Sequence, residues 1–359
     1  MRVKVKGKSK KAKPQVKSKN FTFLPALFTF SFLLFLLITL YSLLFTISGC
    51  APTYPKERFK ESILKVCKKE YSLDVKADTI GKTIVIYVPL GGLLDFNFGI
   101  TKKASEEINN VILSVSRVAL SSDAEFDFYC VIAHDVKIPE IQIVIIKSVD
   151  DVKRFMLNDI SRGEYSKRML VDIRLNPQAQ KEKAIKEVFQ KMSLDRHWQE
   201  DVLNDFFRAE PTILGDIGYW NGRFYVKDVG LPEFLAEQTA NRVRMAFREV
   251  KLLDDLFFIK SAKGYYNAKP EKKYFRFEIT AEPKWLKEAG GEEVSGRVFE
   301  ETIKTASHVL HGYRFEDFDH IEILNQSDGS VLKVSKDSLE EFRKKKMIFE
   351  DILTESQNE

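Results

Sequence analysis

The chain has 359 residues, room for about two ordinary domains. Its 44% hydrophobic and 30% charged residues exclude both wholesale disorder and a multi-pass membrane protein. The net charge of +5 sits at one end: residues 1–20 hold nine basic side chains and no acid, and the remainder balances 48 basic against 52 acidic side chains. A nucleic-acid binder carries its basic surface on the folded part, and here that part is slightly acidic, which argues against nucleic acid as a partner.

From Asn20 to Pro55 there is no charge, and Phe21 to Gly49 is dominated by Phe, Leu and Ile. Pro25 suits the first turn of a helix. As a helix, Ala26 to Gly49 would span about 36 Å, enough to cross a bilayer. Basic residues upstream and none within make this stretch a signal peptide or an anchor, with everything after Cys50 outside the cytoplasm. The run ends in Ile47-Ser48-Gly49-Cys50, which resembles the lipobox of bacterial lipoproteins. The resemblance covers residues 1–50 alone. It implies acylation of the Cys50 thiol by diacylglycerol, cleavage before Cys50 and acylation of the new amino terminus; separately, no cofactor is expected. An uncleaved transmembrane anchor is the other reading, since the apolar stretch is about twice the usual signal length. Both tether the protein to a membrane. Ala51, in place of Asp, resembles lipoproteins exported onward to an outer membrane.

Behind this segment the hydrophobic periodicity repeats one order of elements. The first copy reads as a helix near 56–70, strands at Leu73–Asp78 and Thr83–Leu90, and a helix at 101–119 with Ile108, Ile112 and Val115 on one face. Strands at Phe126–Ala133 and Ile141–Lys147 and a short helix from Asp150 complete it. The second copy opens with a helix from Pro232, then strands at Leu256–Lys260 and Tyr274–Ala281 and a helix at 295–311. Strands at Phe318–Leu324 and Ser330–Val334 and a helix from Asp337 follow. Ile84, Ile86 and Val88 align with Phe275, Phe277 and Ile279 at an offset of 191, and Phe126-Asp127 with Phe318-Asp319 at 192. The division is 1–49 signal or anchor, 50–55 tether, 56–161 first module, 162–230 connector, 231–349 second module and 350–359 disordered tail. The fold class is α+β. Each module runs α-β-β-α-β-β-α, expected as an antiparallel sheet with helices on one face. At fold level this resembles the ring-building modules of secretion-system lipoproteins. The connector is expected to fold, with helices at Gln178–Lys191 and Leu194–Ala209 and a hairpin around Asn221-Gly222.

Little of the chemistry is motif-specific. Cys67 and Cys130 are expected in one core, either as a disulfide, worth about 4 kcal/mol in the chain-entropy model, or as two packed thiols. His308 and His311, three apart on a helix, with Asp317, Asp319 and His320 close behind, form a candidate metal site without motif spacing. His134-Asp135 ends a strand. The cluster Arg162, Glu164, Tyr165, Lys167 and Arg168 is an interaction candidate, and so is Trp220 among Tyr219, Phe224 and Tyr225. There is no phosphate loop and no Gly-x-Ser-x-Gly. The expectation is a membrane-tethered envelope lipoprotein, on the periplasmic or extracellular face, that binds or assembles with envelope proteins. The alternative is a metal-dependent envelope hydrolase using His308, His311 and His320.

Overall fold

In the first module, Thr101 caps a helix by accepting from the Ala104 N–H (3.2 Å). Ile108, Val111, Ile112, Val115 and Val118 then fall on one buried stripe. The computed structural model describes residues 53–95, 99–192, 217–284 and 291–357. The apolar run with Cys50 and the helix expected over Leu194–Ala209 lie outside them. Among the described residues no helix is long and apolar enough to cross a membrane. The first module is α1 (Phe59–Tyr71), β1 (Lys76–Ile80), β2 (Thr83–Leu90), α2 (Lys102–Leu120), β3 (Phe128–Asp135), β4 (Ile141–Ser148) and α3 (Val149–Met156). The second is α6 (Leu231–Glu249), the short α7 (Lys251–Leu256), β8 (Phe257–Lys269), β9 (Lys272–Pro283), α8 (Gly291–Gly312), β10 (His320–Asn325), β11 (Val331–Ser335) and α9 (Lys336–Arg343). The chain is α+β, with two modules.

The repeat extends to hydrogen bonds. Thr83 stands opposite Phe128 in the first sheet and Tyr274 opposite His320 in the second, at the offsets of 191 and 192. The Asp127 N–H donates to Lys82 (3.0 Å) and the Asp319 N–H to Lys273 (2.7 Å). Ser148 and Ser335 each cap the last helix of their module. One detail differs from expectation: the central pairs β2/β3 and β9/β10 are parallel, and only the outer pairs are antiparallel. The helix between the two central strands carries the chain back to the starting end, and such a crossover makes neighbours parallel.

The modules share a core. Ile84, Ile86, Val131, Ile143 and Ile145 point to the face under α1 and α2. Val85, Cys130, Ile132, Val144 and Ile146 point to the other face, where α6 packs, and α6 in turn packs on Phe275, Phe277 and Ile279 of the second sheet. Gly264 of β8 crosses α6 so closely that a Cβ there would stand 2.1 Å from the Ala236 carbonyl oxygen. Tyr54–Glu359 accordingly form one compact unit. Strand alternation also separates the thiols: Cys67 is buried in the first core and Cys130 in the second, and both are free. The shared core expected for a disulfide is corrected accordingly.

The connector 162–230 is folded but not separate. After α4 (Arg162–Lys167), β5 (Leu170–Leu175) joins the first sheet antiparallel to β4, giving the order β1-β2-β3-β4-β5. Helix α5 (Pro177–Lys191) matches its expectation. The hairpin β6 (Gly218–Trp220) and β7 (Arg223–Tyr225) turns at Asn221 and Gly222, both at positive φ (46° and 82°), as a tight two-residue turn demands. The tail expected to be disordered forms α10 (Phe349–Gln357), with Ile352 only 1% exposed in the second core. Phe349, Ile352 and Leu353 place one apolar stripe on an otherwise polar helix.

Candidate functional site

The charged cluster Arg162–Arg168 folds into the junction of the modules. Ser148 caps α3, and Asp151 in its first turn is 0% exposed. Ser161 caps α4, which sets Glu164 one turn before Arg168. The buried Arg168 guanidinium donates to Asp151 (2.8 Å) and Glu164 (2.8 Å) and lies 4.6 Å from the Tyr313 ring centroid. From α6, Arg242 donates to Glu164 (2.8 Å) and Gln238 to the Arg168 carbonyl (2.7 Å). Tyr313, just past α8, donates its hydroxyl to Asp151. Arg154 of α3 reaches the Gly312 carbonyl (2.8 Å). Four helices are thus joined through one set of charges.

The electrostatics follow from burial and pairing. His308, Arg242 and Arg168 hold the Glu164 carboxyl well below the usual carboxylate range, against the upward push of burial. Burial raises Asp151, with Tyr313 and Arg168 opposing. Lys147 of β4 is buried with its ammonium 2.9 Å from the Tyr165 ring centroid, and desolvation pushes it down to about 7 although Asp151 pulls upward. Beside the network a cleft of about 350 Å³ lies between α4, α6 and α8, lined by Lys167, Arg242, Glu301, Lys304 and His308. The ion pairs among Asp151, Arg168, Glu164 and Arg242 tie these elements to one another.

The other sequence candidates separate. Arg162 and Lys167 are exposed, while Tyr165 serves as the face under Lys147. Trp220 donates its indole N–H to Glu182 of α5 (2.6 Å), and neighbouring Tyr219 stacks on Tyr87 at 3.8 Å, so both fasten the hairpin. The candidate metal set is not assembled. His308 is exposed beside Glu164 (3.9 Å), and His311 is exposed on the last turn of α8. His320 is buried in β10, stacked on Tyr274 and 3.3 Å from Glu322, while Asp317 pairs with Lys273 (2.7 Å). Among the described residues no three His, Cys, Asp or Glu side chains are placed to hold a metal. His134 stacks on Tyr87, and Asp135 accepts from the Leu93 (2.7 Å) and Lys137 (2.8 Å) amides, closing a loop.

The sequence reading missed Asp151 as a partner, and Lys147, Gln238, Arg242 and Tyr313 entirely. A signal existed: Gln238 and Arg242 interrupt the apolar stripe of α6, and Lys147 ends the Ile-rich run of β4. Compared with protein families, curated proteins and solved structures, the chain matches none.

Proposed function

We propose that the chain is a membrane-tethered, non-enzymatic binding or assembly component of a cell envelope, on its periplasmic or extracellular side. The tether rests on the basic head, the apolar run and Ile47-Ser48-Gly49-Cys50. The assembly role rests on one observation. Asp151, Glu164, Arg168 and Arg242 at the module junction are paired with one another, while β5, at the open edge of the first sheet, presents Val171, Ile173 and Leu175 to solvent. Partners are then the membrane, through lipid or span, and envelope proteins, through exposed apolar surface.

The test is membrane fractionation of the native host followed by mass spectrometry of the intact protein. A membrane-bound chain beginning at an acylated Cys50 is expected, together with stoichiometric envelope proteins on cross-linking. A basic head still attached shows an uncleaved anchor and leaves the tether standing. Recovery in the soluble fraction, or hydrolysis of envelope polymers by the purified chain, would overturn the reading.

A further inference from the structure

We propose that β5 is the contact between two copies of this chain, paired edge to edge about a two-fold axis. This rests on the assembly reading and identifies the partner as a second copy.

Among the described residues no strand pairs with the far edge of β5. The Asn176 N–H donates to the Glu140 carbonyl (2.5 Å), and hydrogen-bonded pairs alternate along an antiparallel ladder. Leu170, Asp172 and Arg174 therefore bond toward β4, and Val171, Ile173 and Leu175 turn their N–H and C=O groups outward, the Leu175 carbonyl also accepting a long hydrogen bond from the Gln180 side chain (3.3 Å). Their side chains are 36%, 44% and 53% exposed, on the face that α1 and α2 cover farther in. An apolar edge with outward backbone groups is a template for another strand. The other edges of the two large sheets are guarded by lysine on their exposed residues: Lys76 on β1, Lys260 and Lys263 on β8, Lys333 on β11. No lysine stands on β5.

The sequence Leu170-Val-Asp-Ile-Arg-Leu175 is also complementary to itself. An antiparallel copy must set outward-facing residues against outward-facing residues, which leaves three central registers. Centring on Asp172 opposes two carboxylates, and centring on Arg174 opposes two guanidinium groups. Centring on Ile173 sets Asp172 against Arg174 twice and Val171 against Leu175 twice. The charged positions are then the non-hydrogen-bonded pairs, where side chains approach most closely. Arg174 already stands 3.4 Å from its own Asp172 and donates to the Ile217 carbonyl (2.6 Å), so its guanidinium is held where a second Asp172 would meet it. A two-fold contact uses the same patch on both copies and closes as a dimer.

The test uses the full-length chain in detergent. Under mild oxidation Ile173→Cys is expected to give a reducible dimer, and the unsubstituted chain none. Val171→Cys alone should form no disulfide-linked dimer but should cross-link when mixed with Leu175→Cys. Asp172→Arg, at an exposed position, should raise the dimer dissociation constant at least tenfold by sedimentation, with an unchanged circular dichroism spectrum. A chain that stays monomeric at tens of micromolar, or an Ile173→Cys bond formed within one chain, overturns the proposal. Bonding of Ile173→Cys to a different envelope protein overturns it too, and leaves the assembly reading standing. A dimer recovered from the soluble fraction would do the reverse.

Discussion

The two sheets share order, direction and register, yet their outer faces are opposite in character. In the first sheet that face carries Val85, Cys130, Ile132 and Ile146, all packed against α6. At the corresponding register positions the second sheet carries Arg276, Glu322, Leu324 and Lys333, with Arg276 3.1 Å from Glu278 and 4.0 Å from Glu322. One topology thus serves as a middle layer, buried on both faces, and as an outer layer with one wet face. The difference is written in the strands. β3 runs buried from Phe128 to Asp135, while β9 alternates through Phe275, Phe277, Ile279 and Ala281.

The largest expected effect comes from exchanging the two faces. Cys130→Glu would bury an unpaired carboxylate against α6 and should cost about 4–5 kcal/mol. The mirror change Glu322→Cys, at a half-exposed site, should cost less than about 1 kcal/mol. Equal costs in urea denaturation would show that the faces do not differ as described. The helix-covered faces should behave alike. Phe277→Ala should cost about 3–5 kcal/mol and its counterpart Ile86→Ala about 2–5 kcal/mol, since both empty fully buried positions.

Lys147 has no charged counterpart in the second module, where the matching position is Val334. Its folded value of about 7 lies below the ordinary lysine value of 10.5. Between these the unfolded chain binds more protons, so stability rises with pH across that window, and the penalty is fully present below about pH 7. Lys147→Met should therefore stabilise by roughly 4 kcal/mol at pH 6, with the gain fading toward pH 10. A gain independent of pH would show that packing, not charge, is responsible. The smallest effect is expected from His308→Ala with His311→Ala: about 0.5 kcal/mol or less, and no change in metal content by elemental analysis. Loss of a stoichiometric metal would restore the hydrolase reading.

Element order was legible because most strands and helices bury one face and show a clean period, as Ile84, Ile86 and Val88 or Ile108, Ile112 and Val115 do. The parallel central pairs were not, because direction is set by the crossover and leaves no mark on local pattern. β5 was missed because Asp172 and Arg174 place two charges in a strand of six residues and blur its apolar alternation. At the junction, Glu164 and Arg168 were visible as a cluster, but their partners Asp151, Arg242 and Tyr313 come from three other elements. Proximity of that kind is made by α6 lying between the sheets, which no window of sequence contains.

That placement of α6 also sets a timetable. The first sheet is complete at Leu175, but the helix that covers its outer face begins at Leu231. During synthesis, Val85, Cys130, Ile132 and Ile146 lack their α6 cover until more than fifty further residues arrive. Intermediates with such uncovered surface aggregate readily. A chain ended at Gly230 is expected to be insoluble or to bind a hydrophobic dye, and the full unit to unfold in a single transition by calorimetry.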